Sequence, residues 1–282
     1  VTRAAVTKFH IAVLAAAMLV LSSCSGVRFA YNNADLYLRW QANSYFGFED
    51  EQDDELHARV AAFTAWHRKY ALPDYVRIAE DAARRLERGI SREDLVWGYD
   101  SFQAQVRVSL RAAAAEIADL LDRLGPEQLA RLERRIAEEN RKFTKEYLSG
   151  TVEDRRKRRL KRNLERLEDW FGSLNDAQAE RVRRYSERAP LIEDMRDRER
   201  RRLQAGFLQI VRARQAKARL PDFAANWDRD REPAYATALK AQREEYFDLL
   251  LELDKTLSPV QRAEAVERFR EYAADFRTLA SR

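Results

Sequence analysis

An all-α fold, an elongated bundle of about eight to ten helices with no sheet, is what this 282-residue sequence predicts, on three observations. Apolar residues recur at helical spacing along nearly the whole chain. Only 8 Gly and 6 Pro are available for turns, too few for a sandwich, a barrel or a Gly-rich nucleotide fold. Charged residues make up 35% beside 45% apolar ones, which suits amphipathic helices and excludes both a disordered chain and a polytopic membrane protein.

The chain opens on Arg3 and Lys8, then eleven apolar residues from Ile11 to Leu21, then Leu21-Ser22-Ser23-Cys24. Eleven helical residues rise about 16 Å, short of the roughly 30 Å hydrocarbon layer, so this is a secretory leader and not a span. Leu21, Ser22 and Ser23 before Cys24 resemble the lipobox of bacterial lipoproteins. The resemblance implies cleavage after Ser23, a diacylglyceryl group on the Cys24 sulfur and an acyl chain on the freed amine. Two or three chains, each buried methylene contributing about 0.8 kcal/mol, would anchor stably where one would not. Ser25, where enterobacterial lipoproteins retained in the inner membrane carry Asp, resembles the outer-membrane pattern. The expected place is therefore the periplasmic face of the outer membrane. The organisation follows: a signal peptide over 1–23, an acylated Cys24 with an aromatic-rich segment over 24–48, and an all-helical domain over 49–282. Cleavage would remove two of the 52 basic side chains and none of the 47 acidic ones, leaving a net charge of +3. That weak field on a secreted chain argues against nucleic acid as a partner.

Residues 26–48 are dense in aromatics, with Phe29, Tyr31, Tyr37, Trp40, Tyr45, Phe46 and Phe48. Their expected role is packing against later helices, with a membrane interface as the alternative. The run Tyr31 to Trp40 resembles the start of an uncharacterised family of proteobacterial lipoproteins, a resemblance that supplies no activity. The acidic patch Glu49–Glu55 marks a helix start, where carboxylates suit the positive end of the dipole. Leu56, Val60, Phe63, His67 and Tyr70 continue that helix, and Pro73 is expected to close it.

Gly89, Gly125, Gly150 and Gly172 each follow an amphipathic run and are expected to cap it in the left-handed conformation. Ser91–Asp94 and Thr151–Asp154 have the form of capping boxes. The stripes between are Leu95, Tyr99, Phe102, Val106, Leu110, Ala113, Ile117, Leu120, Leu124, then Leu129, Leu132, Ile136, Phe143, Tyr147, then Leu160, Leu164, Leu167, Phe171, all expected as buried seams. Val182 to Ile210 carry a further pattern that Pro190 should break. Tyr235 to Leu253 and Ser258 to Ala280 complete the set.

Three helix starts share one form: Leu124-Gly125-Pro126-Glu127-Gln128, Leu174-Asn175-Asp176-Ala177-Gln178 and Leu257-Ser258-Pro259-Val260-Gln261. Each places a Leu outside the helix, a capping residue, and a Gln able to reach back to the cap amide. The form resembles the Leu-Thr-x-x-Gln repeat of small helical periplasmic chaperones, with Gly, Asn and Ser in place of Thr. That resemblance implies a binding surface for unfolded or envelope proteins, without naming contact residues.

Charge is uneven: the net is −5 over 24–140, +11 over 141–219 and −3 over 220–282. Arg155, Arg156, Lys157, Arg158, Arg159, Lys161 and Arg162 form the densest run, and Arg200 to Arg202 could extend it. The run is either a solvated face neutralised by its neighbours or a dock for an anionic lipid or cell-wall polymer. Catalysis finds no support. His57 and His67 stand ten residues apart and so on different sides of a helix, and Asp54 with His57 is half of a di-iron motif whose other half is missing. No nucleophile elbow, phosphate loop or zinc-protease signature occurs. The expectation is a non-enzymatic, lipid-anchored binding protein, without metal or cofactor beyond the acyl chains on Cys24. Its partner would be an envelope protein held in a chaperone-like way, or an anionic lipid or polymer held by the basic run.

Overall fold

The computed structural model describes residues 26–282; the leader, Leu21, Ser22, Ser23 and Cys24 lie outside the described residues. The helices are α1 (Gly26–Asn32), α2 (Ala34–Phe46), α3 (Glu51–Trp66), α4 (Leu72–Glu87), α5 (Arg92–Asp122), α6 (Pro126–Phe143), α7 (Val152–Phe171), α8 (Asp176–Arg188), α9 (Glu193–Arg212), α10 (Ala216–Ala225), α11 (Pro233–Asp254) and α12 (Pro259–Ala280). Among the described residues there is no strand, and no helix is long and apolar enough to cross a membrane. The chain is an all-helical bundle.

Three apolar clusters hold it together. The largest gathers α2, α3, the C-terminal half of α5, α6, α9 and α10 around Phe46, Leu56, Leu121 and Leu132. Phe48 belongs to it too, so the C-terminal end of the aromatic-rich segment is built into the bundle. A second joins α7, α8 and α11 through Leu167, Val182 and Leu253. A third is α4 against α12, through Ala83, Leu86 and Val266, with Phe171 packing on both of the last two. The α4–α12 and α5–α10 pairs are the most extensive helix contacts.

Local chemistry sets the element ends. Ser91 Oγ accepts from the Asp94 amide (3.2 Å) while Asp94 Oδ2 accepts from Ser91 N–H (3.0 Å), and Thr151 with Asp154 repeats the box at 3.1 and 2.9 Å. Gly89, Gly150 and Gly172 all take positive φ, of 86°, 83° and 69°, though Gly172, with ψ of −158°, is not in the left-handed helical conformation expected of it. Nor is Gly125. Its φ is −77° because it begins α6, where its N–H donates to Gln128 Oε1 at 3.0 Å. The start of α10 is capped from a distance: both Asp122 oxygens accept from the Ala216 and Lys217 amides, at 2.6 and 3.1 Å.

Pro73 does not close its helix. α3 runs into α4 through a π turn at His67–Ala71, and Pro73 sits in the first turn of α4. The wider turn accommodates the missing N–H and the ring, which a regular helix could not. Pro190 does break the chain, between α8 and α9. The stripe on α5 is only half a buried seam: Ala114, Ala118, Leu120 and Leu121 are buried, whereas Tyr99, Phe102 and Leu110 are exposed. The N-terminal aromatics divide likewise, with Phe46 and Phe48 buried and Phe29, Tyr37 and Trp40 exposed.

Candidate functional site

A cleft of about 1170 Å³ opens beside the second and third clusters. Its walls are Asp94–Arg107 of α5, Arg159–Phe171 of α7 and Ala236–Leu250 of α11, closed by Arg85 of α4, Glu193 and Arg196 of α9, the Trp227–Arg231 turn and Phe269 of α12. Its volume is slightly above the usual range for small-molecule sites, roughly 300–1,000 Å³.

The lining is cationic and aromatic. Nine Lys and Arg side chains face four carboxylates. Three of those carboxylates are committed. Asp94 accepts from Arg85 and Arg88. Asp228 holds Arg107 in a two-pronged contact of 2.9 and 2.6 Å. Glu193 takes Arg155 (3.3 Å) and Arg159 (3.5 Å). The Arg107 partner holds the Asp228 carboxyl below its ordinary range, so that pair stays charged. Several guanidinium groups lie over rings, Arg85 over Trp97 at 4.1 Å, Arg107 over Trp227 at 4.5 Å and Arg243 over Tyr99 at 4.9 Å. Trp170 packs on Phe269 at 4.7 Å and Tyr185 on Tyr246 at 5.6 Å. Burial pushes the Tyr185 phenol up to about 12 and raises that of Tyr246, so both keep their hydroxyl protons.

Arg162, Arg166, Arg196 and Lys240 also line the cleft, and none has a carboxylate partner among the described residues. Arg166 stands close enough to the Tyr246 hydroxyl to oppose the effect of its burial, and Arg162 and Arg196 lie over Tyr147 and Phe143. Such groups can grip phosphate or carboxylate through paired N–H donors while the rings cover an apolar body.

The basic run is split by this geometry. Arg159 is buried and donates to the Ala189 and Pro190 carbonyls at 2.7 and 3.0 Å, pinning the α8–α9 break. Arg155 is tied to Glu193 and Asp194. Arg158 donates to the Ser149 carbonyl (2.6 Å), Lys157 pairs with Glu153 and Lys161 with Glu165, and Arg156 is exposed. Only Arg159 and Arg162 reach the cleft. Arg200 and Arg201 pair with Asp197, and Arg202 with Glu199. Sequence reasoning missed Arg166, which continues the stripe Arg159, Arg162 at helical spacing, and it missed Arg196 and Lys240, which carry no local signal.

His57 and Asp54 are both exposed. His67 stands in an aromatic box of Tyr31, Phe63, Trp66 and Tyr75, outside the cleft. Among the described residues no group of three or more His, Cys, Asp or Glu is placed to hold a metal ion.

The three glutamine boxes are structural joints. Gln178 and Gln261 pair their amides in a ring, Nε2 to Oε1 at 3.0 Å both ways. Each Oε1 also accepts its own cap amide, from Asn175 at 3.1 Å and Ser258 at 3.0 Å. Each Nε2 also donates to the other helix's approach, at Thr256 O (3.0 Å) and Ser173 O (2.9 Å). Gln128 similarly reaches Gly47 O and Gln52.

A model for a family of unknown function, DUF6279, matches residues 44–235. The chain belongs to this family. The matched segment of DUF6279 contains α3 to α10 entire, and with them the α5, α7 and α9 walls of the cleft. The α11 wall with Lys240 and Arg243, and Phe269 of α12, lie beyond it. No curated protein and no solved structure matches the chain.

Proposed function

We propose that this chain is an outer-membrane lipoprotein whose periplasm-facing helical domain binds an anionic envelope component in the central cleft, an anionic lipid headgroup or an acidic cell-wall polymer. The observation that carries the reading is the set Arg162, Arg166, Arg196 and Lys240: cations without carboxylate partners, gathered from α7, α9 and α11 onto one aromatic-lined cleft. The other five cations of the cleft, Arg85, Arg107, Arg159, Arg231 and Arg243, each have a carboxylate partner. Clustering like charges costs free energy, so a site built this way is suited to a ligand of opposite sign. The leader and Cys24 support an extracytoplasmic, lipid-tethered setting. The cleft favours this over a chaperone-like grip on envelope proteins, because the glutamines behind the chaperone resemblance are used in helix-to-helix joints.

The test is titration calorimetry on the protein in neutral detergent, with short-chain phosphatidylglycerol, short-chain phosphatidylcholine and an acidic cell-wall oligosaccharide as probes. Expected is binding of an anionic probe but not of phosphatidylcholine, weakening as salt rises. The combined Arg162→Ala, Arg166→Ala, Lys240→Ala variant should bind at least tenfold more weakly, while Lys157→Ala with Lys161→Ala on the outer face changes nothing. Equal binding of the neutral lipid, or indifference to the triple variant, defeats the proposal. Which anionic probe binds decides between lipid and polymer.

A further inference from the structure

We infer that the outward face of α1 and α2 is a membrane-contact surface, with Phe29, Leu36, Tyr37 and Trp40 seated in the interfacial layer of the bilayer. The inference rests on the lipid-anchor reading of Cys24 and is independent of the cleft.

The four side chains are 71, 60, 59 and 59% exposed. They are not scattered. Leu36 and Trp40 are four apart on α2, and Tyr37 and Trp40 three apart with ring centroids at 5.9 Å; Phe29 stands on α1, across the break at Asn33. The opposite side of the same helices is already used. Arg28 pairs with Asp275 of α12 at 2.9 Å, the Tyr31 hydroxyl and His67 Nδ1 share a hydrogen bond of 2.8 Å, and Phe46 is buried in the first cluster. The two helices are thus docked on the bundle, and their outward face is left bare.

Distance selects the occupant. Only Ser25 separates Cys24 from Gly26, at most about 7 Å of chain. From Gly26 to Trp40 is roughly 21 Å of helix. An acylated Cys24 therefore holds this face at the bilayer surface. Its chemistry fits that layer: Trp and Tyr concentrate at membrane interfaces, and between Phe29 and Leu38 the only charged residue is Asp35. The size fits less well with a second copy of the chain. Three aromatics and a leucine, about 60% exposed, offer on the order of 400–500 Å², against about 800 Å² per partner in a stable interface. Acyl chains alone would leave the bundle free to tumble about one point. A second contact along some 20 Å of helix fixes which way it faces.

The experiment uses the full lipidated protein in vesicles of phosphatidylcholine carrying a lipid brominated near the headgroup, a neutral surface that the cationic cleft does not recognise. Tryptophan emission should be partly quenched, and Trp40→Phe should abolish the quenching. The combined Phe29→Ser, Leu36→Ser, Tyr37→Ser variant, altered only at exposed positions, should stay anchored yet lose at least half of the Trp40 quenching. An anchored protein whose Trp40 is unquenched overturns the surface and leaves the anchor reading intact. A Cys24→Ser protein that remains fully in the membrane fraction overturns the anchor reading instead. A dimer in solution that the triple variant dissolves would assign the face to a second copy and overturn the inference.

Discussion

Replacing Gln178 by alanine removes a side chain that is 0% exposed and engaged in four hydrogen bonds, one from the Asn175 amide, one to the Thr256 carbonyl and two with the Gln261 amide. Each is worth about 1 kcal/mol net; Gln261 keeps its bonds to the Ser258 amide and the Ser173 carbonyl, while the half-buried Thr256 carbonyl loses its partner at a further cost of about 1–3 kcal/mol. Since the groups relax toward one another, a total of about 3–5 kcal/mol is expected, a large part of the 5–15 kcal/mol typical of a domain. Gln178→Glu should be as damaging at neutral pH, because it points a carboxylate at two acceptors. Its pKa in the folded state is raised above the unfolded value, so stability returns as pH falls through the folded pKa. Urea midpoints at constant m-value report both effects. Because the two amides form one ring, Gln178→Ala and Gln261→Ala should be non-additive by about 2 kcal/mol. A loss below about 1 kcal/mol for Gln178→Ala, or simple additivity of the pair, would refute the reasoning.

Within the basic run, Arg159→Met should cost about 3 kcal/mol by leaving the Ala189 and Pro190 carbonyls unpartnered and Glu193 with Arg155 alone, whereas Arg156→Ala should leave the urea midpoint unchanged. Burial lowers the His67 pKa, so between about pH 6.5 and the folded value the unfolded chain binds more protons and stability falls as pH falls. Urea midpoints at pH 7.5 and 5.5 should therefore differ by less in His67→Gln than in the unaltered protein. Gly172→Ala should lose about 2 kcal/mol, because φ of 69° with ψ of −158° strains any side chain and its Cβ would meet Glu264 Oε2; thermal midpoints would show it, and an unchanged midpoint would contradict the backbone argument.

The helix ends were legible in the sequence because capping is local: Ser91, Thr151, Asn175 and Ser258 each meet a partner three residues on. The π turn was not, since Pro73 reads as a stop unless the preceding turn can widen. The division of the basic run was hidden for another reason. Arg155 and Arg159 find Glu193 across the α8–α9 break, and no spacing within α7 encodes that. The cleft was legible only in part. Arg162 belongs to an evident run, but its companions Arg196 and Lys240 sit on helices that only tertiary packing brings together. The exposed Phe29, Tyr37 and Trp40 were indistinguishable from core residues because α1 and α2 carry apolar side chains on both faces.

The helix that covers α4 is synthesised long after it. Glu80 and Glu87 meet Arg277 and Arg270, 197 and 183 residues further along the chain. Until the ribosome has delivered α12, the seam Leu72, Ala79, Ala83, Leu86 has no roof, and closing so long a loop is slow. A nascent chain is therefore sticky along that seam, which is concealed only when α12 folds back over α4.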